Sequence, residues 1–252
     1  MNVAPFFALT LVFTLGLQLP AALAKAGIIA TPFESLVPLA GLGGFGPLVA
    51  AIVFTVRDRD ASLRALFGGL RPRSRWLAWY AGALVLPGAL LVIGGAAFAA
   101  FGAWGDRSYL HLPTLPQHFV ALALVPIVEE IGWRGFALPR LQRRYSRLTA
   151  ALILGAVWAV WHVLMFYLAG LSVGAMGLGF LMILAGSVGM SWLYNRTDQH
   201  LLPMVLVHAG MHLFNSHRAL PDDVTPALAH TLMWCVFAIV VLADRDAWRG
   251  AT

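Results

Sequence analysis

The sequence predicts an all-α, polytopic membrane protein, with about eight transmembrane helices around a polar cavity in a single integral membrane domain over 1–252. Three observations carry this. First, hydrophobic residues make up 60% of the chain and charged residues 11%, with mean hydropathy +0.80. A soluble domain carries about 25% charged residues, so too few polar side chains remain here to cover a water-facing surface. Second, apolar stretches recur along the chain at the length needed to cross about 30 Å of hydrocarbon, roughly 17–25 residues. Third, the basic residues gather in the gaps between those stretches.

The first stretch, 4–24, ends in Ala22-Leu23-Ala24, which imitates a signal-peptide cleavage site. It lacks a positively charged start, and its apolar run is longer than a signal peptide's, so it is expected to be a retained helix. The second is 36–56. The gap 57–75, "RDRDASLRALFGGLRPRSR", reads either as an amphipathic helix on the inner leaflet or as a solvated, orientation-setting loop. Next come 76–102, 115–131, 148–169, 173–194, 200–216 and 226–243. Of these, 115–131 and 200–216 are short, and both carry ionisable residues. Gly170, Gly174, Gly177, Gly179, Gly186 and Gly189 crowd the sixth stretch and its approach, which predicts close helix packing.

Charge placement orients the series. With the N-terminus inside, 57–75, 132–147, 195–199 and the tail 244–252 hold fourteen of the seventeen Lys and Arg. The other side holds Lys25, Arg107 and Arg218. This asymmetry predicts eight spans with both termini cytoplasmic, in a bacterial plasma membrane. The net charge of +6 is accounted for in this way and implies no nucleic-acid partner. Cys235 is the sole cysteine and excludes an internal disulfide.

Ionisable groups at membrane depth are costly, so each is a functional candidate. Glu129 and Glu130 close the stretch 115–131, and Arg134 follows four residues after the second. On a helix Glu130 and Arg134 share a face and can pair. Glu129 is turned about 100° away, toward Trp133, and is left without that partner. A carboxylate so placed suits a general base, although both acids could instead simply cap the helix end. His162 lies in "VWAVWHVLMF" one turn after Trp158, and His208 and His212 share a face in "MVLVHAGMHLFN", with Asn215 nearly a turn further. Neutral imidazoles take a proton, donate to an oxyanion or ligate a metal. His111, His118, His217 and His230, near outer loops, and His200, at the inner face, are expected at surfaces or interfaces. Most of the nine Trp are expected as interface anchors, with Trp133, Trp158 and Trp161 instead walling the polar cluster.

These residues resemble the CPBP intramembrane protease family, which groups type II CAAX prenyl endopeptidases with bacteriocin-processing and immunity proteins. Its Glu-Glu-x-x-x-Arg is complete in Glu129, Glu130 and Arg134. Its Phe-x-x-x-His appears with Trp158 for Phe, ending in His162, and its His-x-x-x-Asn appears as His208 with His212 for Asn. The core carrying these motifs spans 115–216. The resemblance implies an intramembrane endopeptidase acting on a membrane-associated peptide or protein. In it Glu129 and His162 activate water, His208 and His212 steady the oxyanion, and Glu130 with Arg134 hold the site in shape. No cofactor is favoured. Zinc is the alternative, with Glu129, His162, His208 and His212 as its ligands, although His-Glu-x-x-His is absent. Two other readings stay open: a proton-coupled carrier, and a non-catalytic scaffold that keeps the Glu/His network.

Overall fold

A computed structural model describes residues 2–106, 116–214 and 224–249. His111, His217, Asn215, Arg107 and Arg218, and the side chain of His118, lie outside the described residues. The described chain is helical throughout: α1 (Ala4–Lys25), α2 (Phe33–Leu42), α3 (Gly46–Arg57), α4 (Leu63–Gly68), α5 (Leu77–Ala100), α6 (Pro116–Glu130), α7 (Leu138–Gln142), α8 (Arg147–Trp161), α9 (Val163–Leu168), α10 (Val173–Arg196), α11 (Leu202–Leu213), α12 (Val224–Leu242) and α13 (Arg245–Trp248).

Among the described residues six runs are long and apolar enough to cross a membrane: Ala4–Lys25, Phe33–Arg57, Ser74–Ala100, Arg147–Leu168, Val173–Arg196 and Val224–Leu242. The chain is an integral membrane protein. The two stretches that looked short in sequence are short helices, 15 residues in α6 and 12 in α11. At 1.5 Å per residue α11 reaches only about 18 Å. The stretch 36–56 is interrupted: α2 and α3 are separate helices joined by a 3₁₀ turn over Gly43–Phe45. The gap 57–75 yields only the one-and-a-half-turn α4 and a 3₁₀ turn, Ser74–Trp76, not a long amphipathic helix.

Polarity is inverted relative to a soluble protein. Along α1 the buried positions Phe6, Thr10, Thr14, Gln18, Ala21 and Ala22 recur every three or four residues and include three polar side chains. Val12, at 70% exposed, points the other way. Thr14 sits at a cross-tie: its hydroxyl donates to Gly43 O at 2.7 Å and accepts from Trp161 Nε1 at 2.8 Å. One side chain thus joins α1 to the α2–α3 break and to α8.

Packing follows a closed circuit. α8 packs on α10, α10 on α12, α12 on α5, α5 on α11 and α11 on α6. The π-helical segment after α6 packs on α3, and α3 on α1, which returns to α8 and α9. The expected glycine packing in α10 holds at three positions. A Cβ at Gly179 would meet Phe166 at 2.7 Å, at Gly189 Phe237 at 2.8 Å, and at Gly186 Met211 at 3.3 Å. Gly174 and Gly177 face open space instead, and Gly170 turns the chain at φ +80°.

Three placements differ from the sequence reading. Arg134, counted above among the loop arginines, is fully buried. His230 lies inside α12 with 3% exposure and accepts from Trp234 Nε1 at 3.1 Å. His200 is 2% exposed. Arg73 N donates to the Tyr80 hydroxyl, which shares a hydrogen bond with His200 Nε2 at 2.7 Å. Both histidines lie close to helix ends in sequence; His200 is held by Tyr80 from α5, whereas His230 is held by Trp234 on its own helix.

At Gly132 an added Cβ would lie 2.5 Å from Pro47 Cβ and 2.6 Å from the Pro47 carbonyl oxygen. Gly132→Ala is therefore expected to destabilise the fold by about 1–3 kcal/mol or more. Gly177→Ala, which meets nothing, is expected to stabilise it by about 0.5–1 kcal/mol. Reversible unfolding in mixed micelles measures both.

Candidate active site

The polar residues converge where α6, α8 and α11 meet. α6 does not end at Glu130: the chain continues through a π-helical turn, Ile131–Ala137, into α7, with Leu138 N–H donating to Trp133 O five residues back. Such a widened turn departs from regular α geometry and is common at functional sites. Here it carries Arg134 into the bundle.

Glu130 and Arg134 pair as the spacing predicts, with Arg134 Nη1 donating to Glu130 Oε1 at 2.8 Å and both side chains fully buried. His208 Nδ1 meets the same oxygen at 2.8 Å. A carboxylate paired with arginine can only accept, so His208 carries its proton on Nδ1. In neutral His208 the Nε2 is then bare. His212 Nε2, 3.0 Å away, is therefore the donor, and the two rings stack at 4.8 Å. A chain of contacts runs from Arg134 through Glu130 and His208 to His212.

Glu129 is 1% exposed and is not part of this ion pair. The expectation that it lacks the arginine holds, but it does have a partner. Trp158 Nε1 donates to Glu129 Oε2 at 3.1 Å. Trp158 also stacks under the Arg134 guanidinium at 4.4 Å and lies edge-on to His162 and His208. Its carbonyl accepts from His162 Nδ1 at 2.8 Å. Since a carbonyl cannot donate, His162 in its neutral form keeps Nε2 unprotonated.

Glu129, His208 and His212 each offer a ligand atom within 4.8 Å of the others. His162 falls outside that group, although it joins Trp158, His208 and His212 in the wall of a cavity of about 420 Å³. The rest of that wall is largely apolar, with Met165, Phe166, Met182 and Ile183. Glu129 does not line the cavity. Of the tryptophans expected to wall the cluster, Trp158 touches it, Trp161 packs on His162 at 4.8 Å, and Trp133 packs behind Trp161 at 5.7 Å.

Residues 111–214 match the family described as type II CAAX prenyl endopeptidase Rce1-like. Over this segment the chain is similar to that family. A curated relative, CAAX prenyl protease 2 of Methanococcus maripaludis, is 27% identical over 132 residues, covering 49% of this chain. The match spans about half of the relative's length, 48%. The matched segment contains all six residues singled out from the sequence and both short helices, α6 and α11. What sequence reasoning missed is the role of Trp158. The Trp-for-Phe exchange at that motif position was visible, but only the fold shows an indole N–H aimed at Glu129.

Trp158→Phe keeps a ring and removes that donor. It is expected to lower unfolding free energy by about 1–3 kcal/mol, the cost of an unsatisfied buried acceptor. Unchanged stability in a denaturant titration would show that the indole does not hold Glu129.

Proposed function

We propose that this protein is an intramembrane endopeptidase that hydrolyses a peptide bond of a membrane-associated substrate. The observation that carries the reading is the approach of Glu129 to the His208–His212 pair within 4.8 Å inside a bundle that excludes most charge. Groups at that separation can share one water, since hydrogen bonds to it run about 2.8 Å on each side. Glu129, outside the ion pair, takes a proton from that water. The hydroxide attacks the peptide carbonyl carbon, and the proton passes to the departing amine as the C–N bond breaks. His162, with Nε2 unprotonated, assists that proton transfer. The His212 Nε2 proton, turned from His208 to the substrate, steadies the oxyanion. His208 orients His212, and Glu130 with Arg134 fixes His208.

The donor set also fits a metal. A carboxylate and two imidazoles within 4.8 Å suit zinc, and Glu130 on His208 Nδ1 is the outer carboxylate that commonly orients a ligating histidine. Glu129, His208 and His212 would hold the ion, with His162 outside the set. Bound zinc would supply Lewis-acid polarisation and an acidified water.

The apolar cavity wall, together with the relative's name, supports a substrate peptide carrying an apolar, prenyl-like substituent. The arginine asymmetry, with the buried Arg134 left out of the count, supports an orientation with both termini cytoplasmic in the proposed bacterial plasma membrane.

Glu129→Gln is expected to cut peptide cleavage by about 10²–10⁴ while leaving the protein folded in the membrane. His212→Asn, which keeps an N–H donor, is expected to stay within about tenfold of wild type. His212→Ala should lose about 10²–10³. Full activity in Glu129→Gln on a cleaved peptide would remove the assigned base. Loss of activity on chelation, restored by zinc, would transfer the mechanism to the metal.

A further inference from the structure

A second cavity, of about 660 Å³, opens at the arginine-rich end of the bundle, between the α3–α4 connection and α7. It is within the size range of ligand pockets, about 300–1,000 Å³, and it shares no residue with the cavity holding the histidines. Its wall brings together Arg59, Arg140 and Arg143 from two parts of the chain, against one carboxylate, Asp60. Arg140 is positioned in advance: it stacks on Phe136 at 3.6 Å, donates to Phe136 O at 3.0 Å and lies 3.7 Å from Asp58. Arg59 and Arg143 are exposed and make no ion pair among the described residues. Tyr194 also lines this cavity. It is 3% exposed, and its hydroxyl has no hydrogen-bond partner among the described residues.

Orientation-setting arginines need only face water, so convergence of three on one cavity with an unpartnered hydroxyl in its wall calls for an anion. Guanidinium forks match phosphate oxygens, and a phenol adds a neutral donor. Exposed apolar side chains next to the lining residues in sequence say which kind of phosphate. Val56 is 68% exposed, and Leu63 and Phe67, one turn apart on α4, are 39% and 37% exposed. An amphiphile meets both features, with its head among the arginines and its chains along these apolar side chains.

We propose that this cavity binds the phosphate headgroup of an anionic phospholipid, as a site separate from the histidine-lined cavity. The test uses the full chain in neutral detergent and measures equilibrium binding of a fluorescent phosphatidylglycerol against a matched phosphatidylcholine. Phosphatidylglycerol is expected to bind at least tenfold tighter. Arg59→Gln with Arg143→Gln should abolish that preference, and Tyr194→Phe, a milder change, should weaken phosphatidylglycerol binding about threefold to tenfold. Arg249→Gln, which removes an arginine of the exposed tail, should leave binding unchanged. Equal binding of the two lipids, or an equal loss in Arg249→Gln, would overturn the site. Displacement of the lipid probe by an equimolar amount of inorganic phosphate would overturn the lipid assignment.

Discussion

The structure depends on how one buried carboxylate oxygen is shared. Glu130 Oε1 accepts from Arg134 and from His208 at 2.8 Å each, with all three side chains almost wholly removed from solvent. A buried charge without a partner is strongly destabilising. Arg134 must therefore enter the bundle with Glu130, which the widened turn after α6 allows. The same oxygen draws α11 against α6, because His208 reaches it only when those helices touch. Once Glu130 is committed in this way, the neighbouring Glu129 is the acid left outside the pair, and the division of labour between two adjacent identical residues follows from the geometry.

Trp158 links this arrangement to α8. Its ring faces Arg134, its N–H holds Glu129 and its carbonyl sets the His162 proton. Phenylalanine at this position could fill the space and accept the cation, but could not donate to Glu129. Behind it, Trp161 and Thr14 connect the site's wall to α1 and to the break between α2 and α3. Positioning thus passes through buried hydrogen bonds between helices whose outward faces are apolar. That pattern is expected where lipid gives little driving force for helix association.

The membrane class and the all-helical fold were legible because hydrophobic length is a local property; of the eight expected spans, six runs among the described residues are long and apolar enough to cross. The Glu130–Arg134 pair was legible for the same reason, since four-residue spacing on a helix decides it. The π turn, the break at Gly43 and the burial of His200 were not. Each depends on a partner far away in sequence: Pro47 against Gly132, Thr14 against Gly43, Tyr80 against His200. The sharing of Glu130 with His208, 78 residues on, was hidden likewise. Residue type, read beside the family resemblance, grouped all four candidate ligands. The fold brings Glu129, His208 and His212 together and sets His162 apart on the cavity wall.

The account stands or falls on the unequal duties of the two acids, and unfolding free energy compares them directly. Glu130→Gln leaves Arg134 buried without a counter-ion, a loss of about 3–5 kcal/mol. Glu129→Gln keeps an oxygen to accept from Trp158, and its stability should stay within about 1 kcal/mol of wild type. If Glu129→Gln proved the more destabilising of the two, the structural charge would sit on the wrong residue and the assignment of Glu129 to chemistry would be contradicted.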